Sequence, residues 1–204
     1  MIEIRYAQIR SLDLSNGEGV GIALFVQGCH FHCPNCFNPE TWDYNGGKEW
    51  TEEVKNKFLE LANRPYIKRI SILGGEPLAE ENLDDVLDLV NRIRLSGSKK
   101  SIWLYTGYTM STCKYFDDII FTFHPSYYHS NSLNGKTIKV DDKAYFIKQD
   151  RKRVAIVKNI DVLIDGQYID SLRDVTLPWC GSSNQKVIDI QQSLKKGEIV
   201  LWQT

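Results

Sequence analysis

Apolar residues gather in short blocks separated by turns and by helical-period segments. Gly21-Ile-Ala-Leu-Phe-Val-Gln27 is an apolar run after a glycine-rich turn and predicts a buried strand. Ile70-Ser-Ile-Leu73, ending in Gly74-Gly75, predicts a second, and Ile102-Trp-Leu-Tyr105, followed by Thr106-Gly107, a third. Between them lie two amphipathic helices. Thr51 caps the first, with Glu52 and Glu53 in its opening turn and Val54, Phe58, Leu61 and Ala62 on one face. Asn82 is placed to cap the second, where Leu83, Val86, Leu87, Val90 and Ile93 recur at helical spacing. Strand, turn, helix, repeated, is the pattern of an α/β protein with a parallel sheet wrapped by helices. Such sheets carry their chemistry at the carboxyl ends of the strands.

The second half is less regular. Ile119-Ile-Phe121 and Val162-Leu-Ile164 predict further buried strands. Lys136 to Val140 and Ala144 to Lys148 alternate apolar and polar residues around Asp141-Asp142, which predicts a hairpin. Residues 122–153 thus form an inserted, β-hairpin-like excursion. Lys148, Arg151, Lys152 and Arg153 make it locally basic, and a solvated surface is favoured over a docking site. No repeat, low-complexity tract or linker divides the chain, so residues 1–204 are expected to form one domain.

Composition adds mostly exclusions. The 204 residues are 42% apolar and 25% charged with a formal net charge of -1, which gives no reason to expect nucleic acid or an anionic membrane as partner. No apolar run approaches a membrane span, and Met1 to Arg5 lack the layout of a signal peptide, so a cytoplasmic protein is expected. The five cysteines then become informative. Their number is odd, and three lie close together while Cys113 and Cys180 stand alone, which points to metal chemistry rather than disulfides.

Cys29-His-Phe-His-Cys33-Pro-Asn-Cys36 has the spacing C-x3-C-x2-C. A cubane [4Fe–4S] cluster takes one thiolate per iron, so three cysteines leave one iron open to a substrate or cofactor. The amino and carboxylate groups of S-adenosylmethionine would chelate it. Zinc, with His30 or His32 as fourth ligand, is the competing reading, but structural zinc sites pair such a knuckle with distant ligands that this chain lacks. His30 and His32 are read as loop residues that shield the cluster. Phe31 and Phe37 would exclude water. Gly74-Gly75-Glu76 is the second constellation. Its glycines allow close approach of backbone carbonyls, and carbonyls with a carboxylate suit the ammonium of a bound amino acid.

With these two signatures the chain resembles the radical S-adenosylmethionine superfamily. Gly28 through Trp42, Ser71 to Leu78, Tyr105 to Tyr108, Asp161 to Gly166 and Gly181-Ser-Ser-Asn-Gln185 look like the glycyl-radical-enzyme activases of anaerobic ribonucleotide reductase. The resemblance departs at Cys180, where the family has arginine, and in the length of the 122–153 excursion. It implies a partial, open TIM-like barrel of parallel strands with flanking helices. It also implies that Cys29, Cys33 and Cys36 hold the cluster, and that Asn35 and Phe37, flanking Cys36, lie against the adenine of S-adenosylmethionine. Gly74, Gly75 and Glu76 would hold the methionine ammonium. Asp165 would reach the ribose or methionyl group, or else serve as a turn former before Gly166. Tyr105 and Tyr108 are read as core and rim, and Ser182, Ser183 and Asn184 as a turn near the site or a partner contact.

The implied reaction is reductive cleavage of S-adenosylmethionine and transfer of the radical to a glycine on a large reductase subunit. A small electron-donor protein such as a flavodoxin would supply the reductant. Two alternatives stay open: a small-molecule radical enzyme resembling 7-carboxy-7-deazaguanine synthase, and a non-catalytic zinc-binding module.

Overall fold

The structure is a computed structural model that describes residues 4–115, 118–125 and 151–203. In chain order its main elements are β1 (Arg5–Asp13), β2 (Gly21–Val26), β3 (Lys48–Glu49), α1 (Glu52–Ala62), β4 (Arg69–Gly74), α2 (Leu83–Leu95), β5 (Ser101–Tyr105), β6 (Tyr108–Tyr115), β7 (Asp118–Pro125), α3 (described over 151–158), β8 (Val162–Asp165), β9 (Lys186–Asp189) and α4 (Ile190–Lys196). Seven strands form one sheet in the order β3-β1-β2-β4-β5-β8-β9. Its centre, β2-β4-β5-β8, is parallel, and β1, β3 and β9 add antiparallel edges.

The central strands are mostly apolar because both faces are covered. Ile22, Leu24, Val26, Ile70, Ile72, Ile102, Leu104 and Leu163 pack on one face against Phe58 and Ala62 of α1, Val86, Leu89, Val90 and Ile93 of α2, and Ile156 and Val157 of α3. Ala23, Phe25 and Leu73 occupy the other face, as do Trp103, Val162 and Ile164, where Trp179 and Trp202 close over the sheet. No helix among the described residues is long and apolar enough to cross a membrane.

The second face also buries an ion pair. Arg69 Nη2 donates to Asp13 Oδ2 at 2.8 Å, with side-chain exposures of 0% and 2%. The guanidinium donates as well to the carbonyls of Asp13, Asn16 and Glu18 and to Ser71 Oγ, so the 13–19 loop is wrapped around it. Gly17, at φ +129°, permits this wrap: a Cβ there would sit 2.5 Å from Arg69 Cδ and 2.7 Å from the Trp103 ring.

Helix α1 begins as its sequence predicts. Thr51 Oγ1 accepts from the Val54 N–H at 3.3 Å, and Glu52 and Glu53 fill the first turn. Thr51→Ala is expected to cost about 1 kcal/mol, read as a drop of about 2–4 °C in melting temperature. Asn82 occupies the cap position of α2, but its side chain makes no capping bond.

The second half corrects several expectations. Ile119 to Phe121 belong to β7, which pairs with β6 from Tyr108↔Pro125 to Tyr115↔Asp118 in a separate two-stranded sheet. The position beside β5 in the main sheet is taken by β8, through Trp103↔Val162, so the chain leaves that sheet at Tyr108, well before residue 122. The hairpin expected from Lys136 to Lys148 lies outside the described residues. Residues 151–153 lie in helix α3 instead of ending a surface excursion. Arg153, expected on a solvated face, is buried, because Leu78 O accepts from its Nε at 3.0 Å and its guanidinium lies 4.6 Å from the Tyr108 ring centroid.

Candidate functional site

Parallel register places the ends of four strands on one edge. Val26 pairs with Gly74, and Tyr105 with Ile164, so the cysteine loop, the glycine turn, Thr106-Gly107 and Gly166-Gln167 all leave the sheet together. The cysteine loop closes on itself before it displays its thiols. Gly28, at φ +92°, donates its N–H to Thr41 O at 2.8 Å, and Cys29 N donates to Trp42 O at 3.0 Å. Gln27 Nε2 holds the returning limb by donating to Glu40 O at 3.0 Å and Asp43 O at 2.7 Å.

Cys29, Cys33 and Cys36 are free thiols, and each sulfur faces a donor. Cys29 is approached by the backbone N–H groups of Phe31 and His32, Cys33 by the Gln167 side chain and the Tyr168 N–H, and Cys36 Sγ by Asn38 N at 3.4 Å. Donors aimed at sulfur stabilise thiolate character and tune a metal cluster that the thiolates hold. Burial pushes the Cys29 thiol up to about 12, with the Glu76 charge as second cause, and burial likewise raises Cys33. A metal must therefore displace these protons when it binds. Among the described residues no three His, Cys, Asp or Glu side chains converge on a single ion. A cubane spreads its thiolates over separate irons and asks for no such convergence. His30 places its ring nitrogens 3.5 Å from Tyr44 Oη and 3.4 Å from Tyr108 Oη, and His32 lies 4.8 Å from the Trp42 ring.

The glycine turn touches the cysteine loop directly. Gly75 N donates to Val26 O and Glu76 N to Gly28 O, both at 2.8 Å, and a Cβ on Gly75 would sit 2.4 Å from Gly28 O. The Glu76 carboxylate, expected to face a ligand's ammonium, is turned inward. It is 1% exposed and accepts from Leu78 N at 2.8 Å, Thr106 Oγ1 at 2.7 Å and Gly107 N at 2.7 Å. Burial, which favours the neutral acid, raises it to about 7 against the pull of these donors. Asp165 behaves alike. Its Oδ2 accepts from Met110 N at 2.9 Å, and burial raises it to about 6. Gly166 follows at φ +100° and donates to Tyr108 O at 2.9 Å, so Asp165 here ends a strand at a turn.

Asn35 and Phe37 are joined by a segment that the sequence did not single out. Asn35 Nδ2 donates to Asp170 Oδ2 at 2.8 Å, and Tyr168 Oη donates to Asp170 Oδ1 at 2.7 Å. The Phe37 ring is 55% exposed, stands edge-on to Tyr168 at 5.1 Å, and has the Arg173 guanidinium 5.6 Å away. Gly181 lets this platform form, since a Cβ there would lie 2.7 Å from Phe37. The Gly181 to Gln185 block proves to be a clamp on the same segment. Gln185 Nε2 donates to Gly166 O and Asn184 Nδ2 to Gln167 O, both at 2.8 Å, and Ser182 Oγ accepts from Ile169 N at 3.2 Å. That block was the available signal for Tyr168, Asp170 and Arg173.

The family model of a 4Fe-4S single cluster domain matches residues 15–124 and 129–188, so most of the expected excursion falls inside the match. The chain is 34% identical over 186 residues to the anaerobic ribonucleoside-triphosphate reductase-activating protein of Salmonella typhi, covering 90% of this chain and 97% of that protein. Its likeness to the protein of the same name from Escherichia coli (strain K12) has the same identity and coverage, 34%, 90% and 97%. The protein of that name from Enterobacteria phage T4 is 28% identical over 184 residues, covering 90% of this chain and 93% of the phage protein. Three free thiols on one loop, laced to a glycine turn and covered by a cluster-domain match, agree with these relatives: the chain belongs to the family of anaerobic ribonucleoside-triphosphate reductase-activating proteins and carries a 4Fe-4S single cluster domain.

Proposed function

We propose that the chain is a radical S-adenosylmethionine enzyme that activates anaerobic ribonucleotide reductase, with Cys29, Cys33 and Cys36 holding its [4Fe–4S] cluster. The observation that carries this reading is the donor set: three thiols on one loop, each with a hydrogen-bond donor at its sulfur. Held by these thiolates, the cluster would supply the electron for reductive cleavage of S-adenosylmethionine, the chemistry by which a hydrogen atom could be taken from a glycine of the reductase.

The chain's own residues bind and orient. Phe37 offers a half-open ring for adenine, with Asn35 fixed beside it through Asp170. Gly74 and Gly75 let the turn backbone lie against a methionyl group. Glu76 and Asp165 serve from within, holding strand ends together instead of touching the ligand. The four parallel strands, with helices on one face, are read as a partial, open TIM-like barrel that admits a glycine loop from the side. A small electron-donor protein such as a flavodoxin is the expected reductant source.

Anaerobically purified protein is expected to contain about four irons and matching sulfide per chain. Its reduced cluster should give an EPR signal that changes when S-adenosylmethionine is added. Stoichiometric zinc with no such signal after cluster reconstitution would overturn the reading.

A further inference from the structure

We propose that Asn82 is a positioning residue that fixes the cysteine loop against the glycine turn and thereby sets the affinity for S-adenosylmethionine, an inference that rests on the cofactor reading above. An asparagine at the entry of a helix ordinarily bonds a free N–H of the first turn. Asn82 stands at that position of α2 and makes no such bond. Its side chain is turned the other way and is 2% exposed. The two hydrogens of Nδ2 go to two different segments: Gln27 O at 3.1 Å and Glu76 O at 2.9 Å. An amide nitrogen has two donors, and here both are used inside the protein.

The two acceptors are the residues on which the site turns. Gln27 immediately precedes Gly28-Cys29 and is itself buried. Its own N–H donates to Arg5 O at 2.8 Å, and its side-chain amide holds Glu40 and Asp43 on the returning limb of the cysteine loop. Glu76 closes the glycine turn, and its carboxylate reaches Thr106 and Gly107 after β5. Asn82 is the link between these two sets. A ligand bound to an iron on one segment and to the backbone of the other needs their separation fixed to a fraction of an ångström. The main-chain bonds Gly75 N to Val26 O and Glu76 N to Gly28 O set the approach, and Asn82 locks it from behind.

Asn82→Leu keeps the volume and removes both donors. In the anaerobically loaded full-length protein, it is expected to retain its iron and sulfide. The S-adenosylmethionine dissociation constant, read from the EPR change of the reduced cluster, should rise about tenfold, as is usual when a supporting hydrogen bond is cut. Asn82→Ser, which keeps one donor, should fall between it and the parent. A merely structural role would lower the melting temperature and leave that constant alone. An iron-loaded Asn82→Leu with a dissociation constant within about twofold of the parent overturns the proposal, since outer-shell losses run larger. Should Asn82→Leu not fold, the same twofold criterion applied to Asn82→Ser decides. A parent protein whose reduced cluster ignores S-adenosylmethionine overturns the cofactor reading itself, and this proposal with it.

Discussion

Cys36→Ala is expected to abolish glycyl-radical formation while lowering the melting temperature by no more than about 2–4 °C. The two effects separate because the thiol carries almost none of the loop's structure. Its sulfur accepts one long bond, from Asn38 N at 3.4 Å, and its side chain is only partly buried. The loop is held by the main-chain bonds of Gly28 and Cys29 to Thr41 and Trp42, and by the amide of Gln27. Removing one thiolate from the proposed set would leave a second iron without a protein ligand, and the cubane is not expected to persist intact. Iron and sulfide assays with radical yield by EPR check this directly. A variant with about four irons and full radical yield would remove Cys36 from the ligand set. Cys180→Ser is the matching control: Cys180 packs against Trp103, Val162 and Ile164, and its loss should leave iron content unchanged.

What the sequence revealed of this site was what lay close together along the chain. The cysteine triplet and the glycine turn are local patterns, and β2, β4, β5 and β8 announce themselves because strands buried on both faces are mostly apolar. β1 escaped notice because it is half-exposed and mixes Arg5, Gln8 and Arg10 with its apolar residues. β9 and α4 are too short for a periodic signal, and only the Asp189 and Gly197 caps mark them. The platform beside Phe37 depends on Tyr168, Asp170 and Arg173, which are remote in sequence and meet it only through tertiary packing. Polar residues were the hardest to read. Arg153 resembles surface charge and Asn82 a cap, yet each is buried and satisfied by the protein itself. Spacing reports which chemistry is present, whereas the direction of a buried polar side chain is decided by neighbours far along the chain.

Asp13→Ala is expected to be strongly destabilising, at about 3–5 kcal/mol. It leaves the Arg69 guanidinium fully buried without its counter-charge. For a chain of this size that corresponds to a melting temperature lower by about 6–20 °C. Arg69→Met removes the charge instead, but it strands the carbonyls of Asp13, Asn16 and Glu18 that the guanidinium now satisfies. The double variant should therefore be more stable than Asp13→Ala while still falling short of the parent. Thermal melts of the four proteins give the coupling. A double variant no more stable than Asp13→Ala would show that the buried charge is not the source of the loss.

Trp42 gives the cysteine loop an optical handle. Its indole packs on His32 inside the loop, whereas Trp50 lies in the helical core and Trp103, Trp179 and Trp202 crowd together across the sheet. An iron–sulfur chromophore held as proposed by Cys29, Cys33 and Cys36 would absorb where indoles emit, and energy transfer falls steeply with separation. Loading of the protein should thus be visible as quenched fluorescence, and Trp42→Phe should remove a disproportionate share of that quenching. The same emission would return as oxygen dismantles the site, so the health of the catalyst can be followed in real time without drawing a sample.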